Sequence, residues 1–387
     1  MLRFVICDGS SGDPIGEILN AEQLKITRTL GDMCTASMVL RVDNPFFPLL
    51  MSTSERYICK VYQTVPNLPA QLKLCGLHRN FQLTSGDSNG TPPLGLSAIN
   101  DPWWYMGKRY VTDATLTGQT INGYTNAGAD RAVLAKTWID NTNQYIGDTG
   151  IRTPSSLPTT QTIPISQWSF FTVADGIHTI ANAPLGFEWI INPSEPVLDS
   201  IGLKLGDFQL ATKLGTDKRD TVFFEYGCGL NNVDGYSTTI IDDNQANKIW
   251  HVTDQDPTNP VVSAQDPSSF TSFGVIEAEV GSTDIKDLAV RNSLLQANLR
   301  VRSNPQTIWN ITPSVINPNN RFITPISLFD YDVGDLITCR IVENITINGK
   351  VIEYILLNAT MRIYAITLSV DLQGIATPTL QLIPNLA

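Results

Sequence analysis

Residues 23–45 read QLKITRTLGDMCTASMVLRVDNP, and the alternation in this stretch sets the fold class. Leu24, Ile26 and Leu30 fall in one phase, interrupted by Arg28; after a Gly31-Asp32 break, Ala36, Met38, Leu40 and Val42 fall in another. A period of two puts every second side chain on one face of a pleated strand, so the stretch reads as two half-buried strands joined by a turn. The first is the less regular of the two because of its arginine. Asp43-Asn44-Pro45 ends the second. Working outward, residues 57–62 and 72–83 form further strands, separated by Pro66 and Pro69. Residues 1–111 therefore read as an antiparallel β domain, finished by the aromatic knot Asp101-Pro102-Trp103-Trp104-Tyr105. Such a knot is most often a core corner; its functional alternative is a platform for stacking sugars.

Beyond residue 111 the pattern changes period. Val133, Leu134, Trp138 and Ile139 have helical spacing within residues 130–145, which Gly147 and Gly150 stop. Thr172, with Asp175 three residues on, caps a second helix carrying Val173, Ile177, Ile180 and Ala181 on one stripe, and a strand at 186–193 follows. A third helix has Ser282 or Thr283 as cap, an apolar face of Ile285, Leu288, Ala289, Leu295 and Leu299, and Asn304-Pro305 as terminator. Strands at 223–227 and 248–252 lie between the second and third helices, and residues 254–272, rich in Pro, Ser, Asp, Asn and Gln, read as an exposed loop. After Pro305 strands resume at 336–342, 351–357 and 361–370, with Asn348-Gly349 as a hairpin turn. No tandem repeat or coiled-coil period is visible in the sequence.

The 387 residues are 42% hydrophobic, 16% charged and 8% aromatic, which is enough to bury a core in two to four lobes. The net charge of −11, from 26 basic and 37 acidic residues without a basic block, argues against gripping nucleic acid through its phosphates. It suits a wall along which DNA slides. The six cysteines lie far apart without a CxxC pair and are expected to be reduced and buried. The N-terminus lacks an apolar secretory segment, so the chain is expected to be made and folded in a cytoplasm.

The chemistry-bearing patterns are weak. Gly86-Asp87-Ser88-Asn89-Gly90 matches the G-x-S-x-G nucleophile pattern, but Asn89-Gly90 is a turn signal and Thr91-Pro92-Pro93 blocks the helix that this pattern requires. His78, His178 and His251 stand alone, and Gly227-Cys228-Gly229 lacks the third glycine of a dinucleotide site. Asp330, Asp332 and Asp335 have a faintly calcium-like spacing without the later Glu, which a turn entering a strand explains equally well. Glu277 and Glu279 share a strand face and nothing singles them out as a glycosidase pair. Hence no catalytic, cofactor-binding or metal-binding residue is assigned, no cofactor is expected, and the chain is not read as an enzyme.

The order of features resembles the central hub proteins of tailed-bacteriophage baseplates, the minor tail or tail-associated proteins of long-tailed phages. The pieces that carry it are Gly31-Asp32 with Asp43-Asn44-Pro45, Leu74-Cys75-Gly76-Leu77, and Ala98-Ile99-Asn100-Asp101-Pro102-Trp103. They continue with Ile177-His178-Thr179-Ile180-Ala181, Gly186-Phe187-Glu188-Trp189, Phe224-Glu225-Tyr226-Gly227, Gln245-Ala246-Asn247-Lys248-Ile249, Gly334-Asp335-Leu336-Ile337 and residues 363–374. Each is short; their number and order over nearly the whole chain make the likeness. It implies an α+β, predominantly β fold with two similar tube-type, barrel-like antiparallel domains, at 1–111 and 306–387, joined by α/β lobes at 112–196 and 197–305. It further implies a homotrimeric ring of pseudo-sixfold symmetry at the virion tail tip. Its expected partners are copies of itself and the distal tail, tail tube, tape-measure and tail-fibre or tip proteins, with DNA passing unbound and no membrane-spanning segment. Strands 336–342 and 361–370 are candidates for the ring wall, and the loop 254–272 for contacts with neighbours. Unlike larger relatives, the sequence stops at Ala387 without a peptidase, lysozyme or fibre extension, so wall-degrading activity is expected of another subunit. Alternatives are a distal tail adaptor, a receptor-binding tail protein, or a carbohydrate-binding module or glycan-active enzyme built on Trp103-Trp104-Tyr105.

Overall fold

The computed structural model describes residues 1–52, 57–85, 93–111, 126–160, 162–165, 172–182, 186–252, 261–281, 288–314, 325–347, 350–371 and 375–385. The motif Gly86–Gly90, the turn Asn348-Gly349 and the caps Ser282 and Thr283 with Ile285 lie outside them. The fold is predominantly β. Its N-terminal part holds β1 (Leu2–Asp8), β2 (Pro14–Ile18), β3 (Glu22–Thr29), β4 (Thr35–Arg41), a short helix α1 (Phe47–Met51), β5 (Tyr57–Gln63), β6 (Gln71–Thr84) and β7 (Leu94–Asn100). These strands are antiparallel neighbours in the order β3-β4-β7-β6-β5-β1-β2. The alternation in residues 35–41 is realised: Ala36, Met38 and Leu40 are buried, while Val42, past the strand end, is exposed. Arg28 faces inward in β3, buried in the same phase as Ile26 and Leu30.

The aromatic knot is a 3₁₀ helix, Pro102–Lys108, whose N-cap Asp101 is buried. Asp101 Oδ1 accepts from Trp103 N at 3.0 Å and Oδ2 from Cys34 N at 2.8 Å, clipping the helix to the end of the β3–β4 turn. Next come β8 (Asn126–Asp130), α2 (Arg131–Asn141), β9 (Ile151–Arg152), β10 (Thr162–Ile165), α3 (Val173–Asn182), β11 (Glu188–Leu198) and β12 (Leu203–Ala211). Asp130 caps α2 through the backbone N–H groups of Ala132 and Val133. Thr172 and Asp175 make the reciprocal cap of α3: Asp175 N donates to Thr172 Oγ1 at 3.1 Å and Thr172 Oγ1 to Asp175 Oδ2 at 2.7 Å. This lobe has its own core, in which Trp103, Trp138, Ile177, Trp189 and Phe208 pack together.

β13 (Phe223–Tyr226) and β14 (Val233–Ile241) return the chain to the large sheet. A small lobe follows, with β15 (Lys248–Val252), β16 (Val262–Gln265), α4 (Pro267–Phe273), β17 (Glu277–Gly281) and α5 (Leu288–Arg302), and then β18 (Gln306–Pro313), β19 (Leu336–Ile347), β20 (Lys350–Val370) and β21 (Ala376–Pro384). Within residues 254–272, expected as a loop, the described part holds β16 and α4. Pro267 occupies the first turn of α4 and Asp266 accepts from Ser268 N at 3.1 Å, so residues read as breakers are here a helix start. In α5, Arg291, Leu295 and Leu299 are buried but Leu288 is exposed. The strands expected at 351–357 and 361–370 are a single strand, β20.

One 13-stranded sheet unites both ends of the chain, because β20 pairs with β3 (Ala365↔Thr29 to Val370↔Leu24). Among the described residues its strand path does not close. The sheet also repeats itself. The path β3-β4-β7-β6-β5 has the same antiparallel pairings as β14-β18-β21-β20-β19, and the registers match through a bulge. In the first, pairing steps from His78↔Ile99 to Asn80↔Ala98; in the second, from Ile363↔Leu382 to Ala365↔Gln381. Carrying the register outward from those bulges places Trp309 where Ala36 stands and Thr238 where Ile26 stands. Ala36, Met38 and Ile99 on one side and Trp309, Ile311 and Leu382 on the other are all buried in one apolar cluster. The likeness is one of hydrogen-bonding geometry and inward-facing phase, which is why no repeat appears in the letters.

Candidate assembly surface

The face of the sheet turned away from that cluster is hydroxyl-rich. Around the β3–β20 join it presents Thr27, Ser37, Thr367, Ser369 and Thr379, with Lys25 between Ser37 and Ser369, in alternation with the buried Ile26, Met38, Ile366, Leu368 and Leu380. Thr27 Oγ1 and Thr367 Oγ1 lie 3.1 Å apart across the join. On the inner side the join is a polar seam. Buried Arg28 forms an ion pair with Asp332 (3.2 Å) and donates to the Lys73 carbonyl (3.0 Å), while Lys73 Nζ donates to the carbonyl of Leu328. Burial pushes the Lys73 ammonium down to about 8. Nearby, Arg362 donates to Glu188 of the middle lobe and to the Leu214 carbonyl. N-terminal strands, middle lobe and C-terminal strands are thus tied at one place.

Of the expected ring-wall strands, β20 is the spine of the sheet and pairs with β19, β21 and β3. Its first half and the end of β19 form a hairpin on which Ile345, Ile352, Tyr354 and Ile355 are exposed. Two further edges carry exposed apolar side chains: Ile240 on β14 and Leu83 at the end of β6.

The other candidates are accounted for by local structure. Trp103 is buried, with its ring centroid 4.0 Å from that of Trp189 and a stacked Phe208 at 5.9 Å. The Trp104 ring is covered by the Arg79 guanidinium at 3.7 Å, and Tyr105 has Arg79 and Arg109 at 5.1 and 4.8 Å. The cluster is a core corner with cations over its outer rings. Asp330, Asp332 and Asp335 serve a turn: they accept from Ile326 N (2.7 Å), Val333 N (2.8 Å) and Thr216 N (2.7 Å), and Asp335 also pairs with Lys218 at 2.9 Å. Glu277 and Glu279 lie on one exposed face of β17, Glu277 held by Lys248 Nζ (2.6 Å) and Trp250 Nε1 (3.2 Å). His78 packs on Phe81, His178 on Trp103 and Trp189, and His251 accepts from Arg291 Nε at 3.1 Å. Burial and the neighbouring Arg79 lower His78 to about 4. Gly227 and Gly229, both with positive φ, form the β13–β14 loop, with no helix after them. Five cysteines are buried, Cys228 is half-buried, and none is bonded to another. Among the described residues no three His, Cys, Asp or Glu gather as metal ligands, and no helix is long and apolar enough to cross a membrane.

No protein-family profile and no curated protein matches the sequence. Solved structures do match the fold. A tail protein from Neisseria meningitidis MC58 aligns with a TM-score of 0.59 at 12% identity, over 99% of this chain and 97% of its own. The 43 kDa tail protein of prophage MuSo2 from Shewanella oneidensis gives 0.57 at 11% identity, over 99% and 98%. A prophage tail protein from Listeria monocytogenes EGD-e gives 0.55 at 12% identity, over 99% and 94%.

Proposed function

We propose that this chain, whose fold is similar along nearly its whole length to those of three tail proteins, two of them from prophages, is a structural subunit of a phage tail tip that assembles with two further copies into a hub ring continuing the tail tube. The observation that carries this reading is the welded repeat. Two matching halves of one sheet meet edge to edge at β3 and β20, so a single protomer contains two adjacent sectors of a wall and one sector-to-sector joint. Three such protomers make six sectors, and closure covers the sheet edges at which the sectors meet.

In this ring the hydroxyl-rich face lines the channel. Threonine and serine dominate that face and hydrogen-bond readily to water, so around the join a passing phosphate meets neutral hydroxyls with Lys25 as a fixed positive charge among them, and DNA slides with far less of the counterion-release binding that rows of lysine and arginine produce. Each half is a tube-type domain of the kind the resemblance implies, the second reaching back beyond 306–387 to take in β14, and the lobes and the β19–β20 hairpin project to meet distal tail, tape-measure and fibre proteins. The chain contributes no catalysis. Light scattering with negative-stain microscopy of the purified protein tests the reading: a mass three times that of the chain and rings with a central hole support it. A species of single-chain mass at every concentration, without rings, counts against it.

A further inference from the structure

We propose that neighbouring protomers join through the free edge of β14 and the outer half of β6, antiparallel, in the register that β3 and β20 already display within one chain. The inference rests on the ring reading above and specifies it. By the repeat, β14 is the counterpart of β3, and residues 80–84 are the counterpart of residues 365–369 of β20. Inside the chain β3 covers residues 365–370. Among the described residues, nothing pairs with β14 on the side away from β18, nor with residues 80–84 on the side away from β7. The repeat therefore contains each half of this joint twice but satisfies it once.

The side chains show the same incompleteness. Ile366 and Leu368 are 0% and 1% exposed beneath the joint with β3; their counterparts are Phe81 and Leu83, equally apolar, and Leu83 is 54% exposed. Across the gap, Ile240 of β14 is 66% exposed. Transferring Ile366↔Arg28 and Thr367↔Thr27 gives Phe81 opposite Ile240 and Gln82 opposite Thr239 of the next copy. That register buries Ile240 against Phe81 and Leu83 on the apolar face, and puts Gln82, Thr84, Ser237 and Thr239 on the hydroxyl face. It also accounts for one difference between the joints. Arg28 has Asp332 of its own chain as counter-ion, whereas its counterpart is Ile240, which needs none.

Cysteine crosslinking tests the register. Thr27 and Thr367 hydroxyls are 3.1 Å apart, so their counterparts lie within reach of a disulfide. In a Cys228→Ser background, oxidation of Gln82→Cys/Thr239→Cys is expected to shift the chain threefold in mass on denaturing, non-reducing gels. Thr84→Cys/Ser237→Cys repeats the same register independently, and the shifted pair Gln82→Cys/Ser237→Cys is expected to crosslink several-fold less. A particle of trimer mass in which neither matched pair crosslinks, or in which the shifted pair crosslinks as well, overturns the register and leaves the ring standing. A protein that stays at single-chain mass and never crosslinks overturns the joint together with the ring.

Discussion

Replacing Asp101 by Asn should change how stability depends on pH. Asp101 is fully buried; burial pushes its carboxyl up to about 7, against the opposing pull of the Cys34 and Trp103 N–H groups and of Arg28. In the unfolded chain the same carboxyl titrates near 4. Between those values the folded protein holds a proton that the unfolded chain has lost, so the group's contribution is greatest at low pH and falls as pH rises towards 7. Integrated from pH 5 to pH 8, the loss is about 3 kcal/mol. Asparagine removes this dependence and costs a roughly constant 1–2 kcal/mol, because its amide turns an N–H towards one of the two backbone donors. His78 works in the opposite direction: held at about 4 when folded, it destabilises below its unfolded value near 6.5. The comparison that isolates Asp101 is therefore wild type minus variant, from urea unfolding at pH 5 and pH 8. The variant should be the less stable at pH 5 and match or exceed wild type at pH 8. A gap that does not change across that range would refute the reasoning.

Glu188→Ala leaves Arg362 buried without its carboxylate and should cost about 3–5 kcal/mol, read as a lower denaturation midpoint. Trp104→Ala removes the ring beneath Arg79 and Lys108 and its edge contact with Tyr105 and should cost about 1–2 kcal/mol; neither it nor wild type should retain cell-wall glycan in a pull-down. Replacing residues 242–305 by Asn-Gly should leave a cooperatively unfolding protein by calorimetry, because Ile241 and Gln306 already face each other as the last pair of the β14–β18 ladder.

Strands with one buried face and helices with local caps were legible from the sequence. The alternation around Met38 and the cap at Thr172 are short-range signals whose physics is complete within a few residues. Arg28 shows the limit. Its place in the apolar phase looked like a defect because its counter-ion, Asp332, is supplied from the far end of the chain. β1 and the parallel pairings of β13 with β19 and β15 with β17 were missed for a related reason: a strand's partner is not written in the strand. Residues 254–272 misled in the other way, since Asp266-Pro267 reads equally as loop and as helix start until the chain direction after it is known. For the assembly surface, the sequence offered residues 336–342 and 361–370 as wall strands. It could not mark Leu83 and Ile240, which become notable only when the repeat shows what covers their counterparts.

The turn between β3 and β4 is tight, with Gly31 N bonded to the Trp189 carbonyl, while the corresponding connection between β14 and β18 is opened into the whole small lobe. A closed trimer would then show two symmetries at once: a bore with six nearly equal staves, and an outer rim bearing three ornaments. In the proposed ring such a part would be a gearbox between counts, seating on a sixfold pipe through its staves and offering a threefold neighbour its footing through the rim.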